Sequence, residues 1–262
     1  MRAMIVPLFS LWMGVLPAAH AEPGKHLFIL SGQSNMARLD VDAYFTPLME
    51  ARLGRDRVIV VKDAEGGQPI ARWYRRTESG VAPARPGNDL YTRLLEKVRR
   101  AVGRSNLLSV TFVWMQGERD ARSGMSETYA GALAGLLAQL EADLGRPDIN
   151  VVIGRLSDHG LYGPGRSHWR RIREIQVHFA ESRPRGAWVD TDDLNDGRDQ
   201  NGVMVHNDLH LTPAGYRELG ARFAARAQEL LQRRAGGYRP VGGPGPHGAA
   251  VNAPSSPGDR PE

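Results

Sequence analysis

The sequence predicts an α/β protein whose five-stranded parallel sheet is covered by helices on both faces. Two observations carry this expectation: short apolar, β-branched runs recur along the chain, and segments of helical periodicity separate them. The runs are His26 to Leu30, Val58 to Val61, Leu108 to Met115, Val151 to Leu156 and Ala187 to Val189. Continuous apolar strands of this kind belong in the middle layer of a doubly covered sheet.

The intervening helices are expected at Asp89 to Val102, Ser126 to Leu144, Ser167 to Glu181 and Pro213 to Arg233. The last has the clearest start: Thr212 can cap it, Pro213 suits the first turn, and Glu218 follows in the opening turns. Within it Tyr216, Leu219, Gly220, Phe223, Ala227 and Leu230 recur at spacings of three and four, a core-facing stripe whose default role is packing.

A length of 262 residues suits one compact unit with appendages. Residues 1–21 are expected to be a secretory signal: Met1-Arg2 is a positive start, Ala3 to Pro17 an apolar run, and Ala19-His20-Ala21 a small-x-small cleavage site. The apolar run is shorter than the roughly 20 residues of a membrane helix, and no later segment is long and uncharged enough to span. The folded unit is then 22–235. From Gly236 the composition turns to Gly, Pro, Ala and Ser, too poor in apolar side chains to offset the entropy of ordering, so 236–262 is expected to be a disordered tail.

The absence of cysteine excludes thiol chemistry and cysteine metal sites, and leaves stability to core burial even in an exported, secreted or periplasmic, protein. The net charge of +5 and pI near 9.8 come from scattered arginines such as Arg99-Arg100, Arg170-Arg171 and Arg233-Arg234 rather than one dense block. That distribution speaks against nucleic acid as a partner. No repeat with a period of about 20–50 residues suggests a solenoid or propeller.

Three segments can carry chemistry. Ser31-Gly32-Gln33-Ser34-Asn35-Met36 follows the first strand, at the carboxyl edge where open parallel sheets place their ligand crevice. Gly32 permits a tight turn, and a helical turn from Asn35 to Arg38 would aim backbone N–H groups at an oxyanion formed on Ser34. Trp114-Met115-Gln116-Gly117-Glu118-Arg119-Asp120 is a polar cluster that follows the third strand and opens on the same edge. Asn207-Asp208-Leu209-His210-Leu211-Thr212-Pro213 ends at the cap of the final helix, so His210, the natural general base near neutral pH, sits beside a rigid element. Each segment alone is more often structural than catalytic; their conjunction points to a nucleophile and its base.

Gly32-Gln33-Ser34-Asn35-Met36, Gly66-Gly67, Gln116-Gly117-Glu118 and the Asp208-Leu209-His210 loop, in this order, resemble the sialate O-acetylesterase and acetyl-xylan esterase branch of the SGNH hydrolases. The resemblance spans about residues 26–230 and implies a flavodoxin-like three-layer α/β/α fold. It also implies roles: Ser34 attacks an ester carbonyl, His210 accepts its proton and later activates water, and no metal or organic cofactor takes part. The oxyanion would be met by the Ser34 N–H, a glycine N–H from the Gly66-Gly67 turn, with Gly67 preferred, and the Gln116 side-chain amide. The implied partner is an acetylated oligo- or polysaccharide, with no obligate protein partner.

The pattern departs from the superfamily at Asn207, where the acid that orients the histidine usually stands three residues before it. Glu118, Asp208 and Asp193 are the candidate substitutes, in that order of preference for the first two, and a Ser–His dyad is the remaining option. Arg38, Arg72 and Arg119 flank the site segments and could pair bidentately with a sugar carboxylate, while Trp73 could stack on a sugar ring or fill the core edge. The other histidines, His159, His168, His178 and His206, show no metal-ligand spacing and are expected on the surface or in loops. Two alternatives compete with the esterase: a lipase or thioesterase of the same fold, which would need an apolar groove where Arg38, Arg72 and Arg119 stand, and a carbohydrate-binding protein of esterase descent that has lost catalysis.

Overall fold

The computed structural model describes residues 24–74, 76–77, 80–81 and 89–235. The leader expected over 1–21 and the tail expected over 236–262 lie outside the described residues.

The five expected strands form one sheet: β1 (Lys25–Gly32), β2 (Val58–Ala64), β3 (Leu107–Met115), β4 (Asn150–Gly154) and β5 (Gly186–Val189). Their order is β2-β1-β3-β4-β5 and every pairing is parallel, the flavodoxin-like arrangement. The winding reverses beside β1, so the crevice of such a sheet opens beyond the carboxyl ends of β1 and its neighbours. Alternation along β1 divides the core: Leu27 and Ile29 belong to one apolar cluster, Phe28 and Leu30 to the other. Full burial of side chains of this size contributes about 1.5–3 kcal/mol each, which fixes the register because a one-residue slip would exchange the two faces.

One face is covered by α4 (Asp89–Val102), α6 (Ser126–Leu144) and α7 (Arg166–Glu181), the other by α1 (Ser34–Arg38), α2 (Val41–Tyr44), α3 (Thr46–Leu53) and α8 (Pro213–Ala235). A short α5 (Glu118–Arg122) follows β3. The sequence places α4 and α6 at their observed bounds, and α7 and α8 within two residues of theirs. It does not anticipate α1 to α3 or α5 as helices, because segments of four to eight residues hold too few periods to register. Met36, Leu39, Val41, Phe45 and Met49 are buried, so tertiary packing rather than propensity stabilises α1 to α3.

Thr212 caps α8 as its sequence predicts, its Oγ1 accepting from the Gly215 N–H at 3.0 Å. The stripe Tyr216, Leu219, Phe223, Ala227 and Leu230 is buried against the sheet. In the long connection from β5 to α8, Gly197–Arg198 pairs antiparallel with Met204–Val205, and this hairpin carries Asp199 and Gln200 to the carboxyl edge of the sheet. Among the described residues no helix is long and apolar enough to cross a membrane.

Candidate active site

β1 runs to Gly32, so the serine motif begins inside the sheet and turns out of it at the carboxyl edge. Gly32 has φ +144, and a Cβ there would lie 1.9 Å from the Met115 carbonyl oxygen. Only glycine allows the ends of β1 and β3 to approach this closely. Ser34, half-buried, opens α1 directly after the turn, where helix N–H groups have no carbonyl a turn earlier to bond.

Four loops are tied together at this edge. The Gln33 N–H donates to Met115 O at 3.0 Å and the Glu65 N–H to Gly32 O at 3.0 Å, which joins the ends of β1, β2 and β3. Gln33 Oε1 accepts from Gln116 Nε2 at 3.3 Å, the Gly117 N–H at 3.4 Å and the Arg119 N–H at 3.3 Å. The fourth loop, which carries His210, is held by Asn35. Its Nδ2 donates to Leu209 O at 3.2 Å, and its Oδ1 accepts from the Leu211 N–H at 3.3 Å and from the Tyr216 hydroxyl at 2.9 Å. The residue after Ser34 therefore grips the chain on either side of His210. Hydrogen bonds link the serine and histidine loops through Asn35 rather than through the Ser34 and His210 side chains themselves.

His210 lines a cleft of about 460 Å³ together with Arg38, Asp40, Tyr44, Asp199, Asp208 and Tyr216. Burial and the nearby Arg38 charge hold the His210 pKa below its ordinary value, with Asp208 pulling the other way. The imidazole is consequently neutral, and basic, at physiological pH.

The candidate acids are placed differently. Asp208 shares the cleft with His210 and accepts from the Leu209 N–H at 2.6 Å. Glu118 is fully buried at the start of α5 and its Oε1 accepts from Asn35 Nδ2 at 3.1 Å. Burial pushes its pKa up to about 7. Asp193 pairs with Arg222 at 2.7 Å through both carboxylate oxygens, which holds its pKa down and engages it on α8. Asn207 has φ +49 and turns its Oδ1 to Asn195 Nδ2 at 3.2 Å, while its carbonyl faces His159 Nδ1 at 2.8 Å. The position where the superfamily acid stands thus braces the loop from outside.

Around Ser34, a Cβ on Gly66 would lie 3.7 Å from the Ser34 Cβ, whereas one on Gly67 would meet nothing within 4 Å among the described residues. The glycine packed against the serine is therefore Gly66, and Gly67, at φ +70, completes the turn. Gln116 is fully buried: its Nε2 also bonds Gln68 O at 3.0 Å and Asp120 Oδ2, and its backbone carbonyl accepts from Tyr129 Oη at 2.8 Å and Gln176 Nε2 at 2.7 Å.

The pocket wall differs from the sequence expectation. Trp73 is 0% exposed, packs edge-to-face on Trp114 with centroids 5.2 Å apart, and donates its Nε1–H to Ser31 Oγ at 3.0 Å. It fills the core and has no face to offer a sugar, because the segment after Pro69 forms a 3₁₀ turn that folds it inward. Arg72 pairs with Asp89 and bonds Gln68 Oε1 at 2.7 Å. Arg119 is exposed on α5, outside the residues lining the cleft. The three arginines do not rim one pocket: Arg38 alone lines it, beside Asp40, Asp199 and Asp208.

Sequence reasoning gave no role to Asn35 or His159 and left Tyr216 to packing. The available signal was the Tyr216 hydroxyl, a polar tip in an apolar stripe one turn after the His210 loop. His159 faces the Asn207 carbonyl and packs against the Trp169 ring, His168 Nδ1 meets Ser126 Oγ at 2.8 Å, and His206 pairs with Asp196. Among the described residues no group of three His, Cys, Asp or Glu is arranged to hold a metal.

Comparison with known proteins gives a family and a fold. The family model described as carbohydrate esterase, sialic acid-specific acetylesterase matches residues 37–229, a span that contains Gln116, Glu118, Asp208 and His210 and begins just after Ser34. Among solved structures, a protein from Arabidopsis thaliana superposes with a TM-score of 0.57 at 20% identity, covering 80% of this chain and 99% of that one. A carbohydrate acetylesterase from Xanthomonas citri gives 0.57 at 18% identity, covering 79% of this chain and 56% of that one. NanS gives 0.54 at 15% identity, covering 82% and 99%. At these identities the likeness is one of fold. No match is found among the curated proteins.

Proposed function

Because the chain belongs to the carbohydrate esterase, sialic acid-specific acetylesterase family, we propose that it is an exported serine esterase that removes O-acetyl groups from carbohydrate hydroxyls. Ser34 Oγ attacks the acetyl carbonyl while His210 accepts the hydroxyl proton. Collapse of the tetrahedral intermediate releases the sugar alcohol, which takes that proton, and leaves an acetyl-serine. Water, deprotonated by His210, then attacks the acyl group, and acetate leaves as Ser34 regains its proton. The observation that carries this reading is the Asn35 side chain, which ties the residue beside Ser34 to both neighbours of His210.

The imidazolium formed during attack is stabilised by Asp208, whose charge favours the protonated ring. The developing oxyanion is met by the Ser34 N–H and by the Gly67 N–H, on the peptide that follows Gly66 where it packs against Ser34. Gln116 Nε2 is the third donor: its two hydrogens are shared among Gln33 Oε1, Gln68 O and Asp120 Oδ2, and one of the shorter bonds, to Gln68 O or Asp120, must be released for the anion. Loss of one such donor costs about 2.7–4 kcal/mol of transition-state stabilisation.

Arg38, Asp40, Asp199, Gln200 and Asp208 line the cleft beside His210, with Ser34 outside its lining, and this polarity supports a carbohydrate rather than a long acyl chain. Export rests on the leader read in residues 1–21, and is checked by N-terminal sequencing of protein recovered outside the cytoplasm. Acetate release from p-nitrophenyl acetate and acetylated xylan tests the catalysis. Ser34→Ala and His210→Ala should each lower kcat by about 10³-fold or more. Acetylated-sugar binding with no Ser34-dependent hydrolysis would make the protein a binder instead.

A further inference from the structure

Glu118 lies one hydrogen bond behind the loops that meet at the cleft. Its carboxyl is wholly buried, Oε1 accepts from Asn35 Nδ2 at 3.1 Å, and Oε2 has no hydrogen-bond partner among the described residues. Buried polar atoms are nearly always paired, so a buried acid with one oxygen unpaired calls for a use. It is also placed to be reached from one side: Asn35 is buried, and its amide is saturated. Both Nδ2 hydrogens are taken, by Glu118 Oε1 and Leu209 O, and both Oδ1 lone pairs, by the Leu211 N–H and the Tyr216 hydroxyl.

An amide bonded on all four sides has one orientation. Turning it over would set its oxygen against Leu209 O and Glu118 Oε1, acceptor against acceptor, and its NH₂ against the Leu211 N–H. Two acceptors on one side select the observed orientation, and Glu118 supplies one of them. Without it the Nδ2 group would be held by Leu209 O alone, a loop carbonyl that moves with the histidine it is meant to fix.

We propose that Glu118 is a positioning residue: by accepting from Asn35 it fixes the amide that brackets His210, and it does so without orienting the imidazole itself. This rests on the esterase reading for its consequence in catalysis, but not for its structural content. What the role requires is an acceptor oxygen at Oε1. The negative charge is dispensable, which separates this role from that of a catalytic acid paired with the histidine.

The test compares Glu118→Gln, which keeps a carbonyl oxygen at that point, with Glu118→Ala, which removes it. Two readouts are taken in the full-length protein: kcat/KM on p-nitrophenyl acetate, and hydrogen exchange of the Leu211 amide, whose N–H donates to Asn35. Glu118→Gln should stay within about fivefold of wild type in kcat/KM and keep Leu211 protected, while Glu118→Ala should lose about 50-fold or more and expose that amide to exchange. Equal damage in both variants would overturn the proposal, since the charge would then be needed; so would full Leu211 protection in Glu118→Ala. Glu118→Gln is nearly isosteric, so that arm stands even where Glu118→Ala does not fold. Absence of Ser34-dependent hydrolysis in the wild type would sink the esterase reading and leave the exchange result to decide this one.

Discussion

Asn35 brackets His210: its Nδ2 donates to the carbonyl of Leu209, the residue before the histidine, and its Oδ1 accepts from the N–H of Leu211, the residue after it, at 3.2 and 3.3 Å. Two segments 174 to 176 positions apart in the chain are thereby held by one amide. Asn35→Ala leaves the Leu211 N–H and the Tyr216 hydroxyl without their acceptor, at about 1–3 kcal/mol for each buried group left unpaired. A lowered melting temperature and a fall in kcat of about 10²-fold or more are expected, with KM changed less. Thermal melting and steady-state kinetics on the same samples check both.

The pH dependence of kcat/KM should report His210. Its pKa is depressed, and the base works in the neutral form, so activity falls only when pH drops below the ordinary histidine range. Arg38→Ala removes a positive charge that lowers this pKa, so the acid limb should move to higher pH. Asp208→Asn removes a charge that raises it, so the limb should move to lower pH. Shifts in the opposite sense would mean that another group controls the limb.

Glu118 makes folding stability depend on pH. Its folded pKa is raised to about 7 from 4.5 by burial, with Asp120 adding to the rise and Asn35 and Arg122 opposing it. A raised acid binds its proton more tightly in the folded state, so its contribution to stability is complete below the unfolded pKa and is lost as pH rises through the folded one. Glu118→Gln, which never ionises, should therefore gain stability over wild type between about pH 5 and pH 8, by on the order of 3 kcal/mol at the upper end. Denaturant unfolding of the two proteins across that range measures the difference.

The cleft bears on substrate charge. Among the described residues Asp40, Asp199 and Asp208 line it against Arg38, so a sugar carboxylate would meet like charges. Neutral acetylated sugars should be hydrolysed with several-fold higher kcat/KM than acetylated uronic or sialic acids at low salt, the gap closing as salt shortens the Debye length to roughly 8 Å or less. Rates on matched neutral and acidic acetylated sugars at two ionic strengths settle the point, and preference for the acidic sugar, lost in Arg38→Ala, would reverse it.

Restoring the superfamily acid should not restore a triad. In Asn207→Asp the new carboxylate would lie where Asn207 Oδ1 meets Asn195 Nδ2, a donor shared with Asp158 Oδ1, and the Asn207 N–H is already bonded to Asp196. Added negative charge there is repelled by Asp158 and held toward Asn195. Turnover at or below wild type is expected, and a gain of about tenfold or more in kcat would show that the side chain can swing to His210.

Most of the architecture was legible in the residues. Apolar runs of strand length and the stripe from Tyr216 to Leu230 are periodic signals that local physics imposes on any buried strand or amphipathic helix, and all five strands and four long helices lie where those signals stand. The short helices α1 to α3 and α5 carried no such period, since their stability comes from neighbours distant in the chain. At the site, the segments were legible as motifs, but partnership was not. Nothing local distinguishes an arginine that reaches a cleft, as Arg38 does, from one captured by Asp89, as Arg72 is, and Trp73 gave the same signal whether it would face a sugar or the core.

What the sequence determined by itself was therefore the layer order and the chemical inventory: a serine after the first strand, a polar block after the third, a histidine before the last helix. Only the tertiary structure decided how they are joined, placing Asn35 between the serine and histidine loops, Glu118 behind Asn35, and Asn207 facing Asn195. The reason is one of range. Hydrophobic periodicity is written within a dozen neighbouring residues, whereas a hydrogen bond needs its donor and acceptor within about 3 Å, which is fixed only when the whole sheet and its loops have closed.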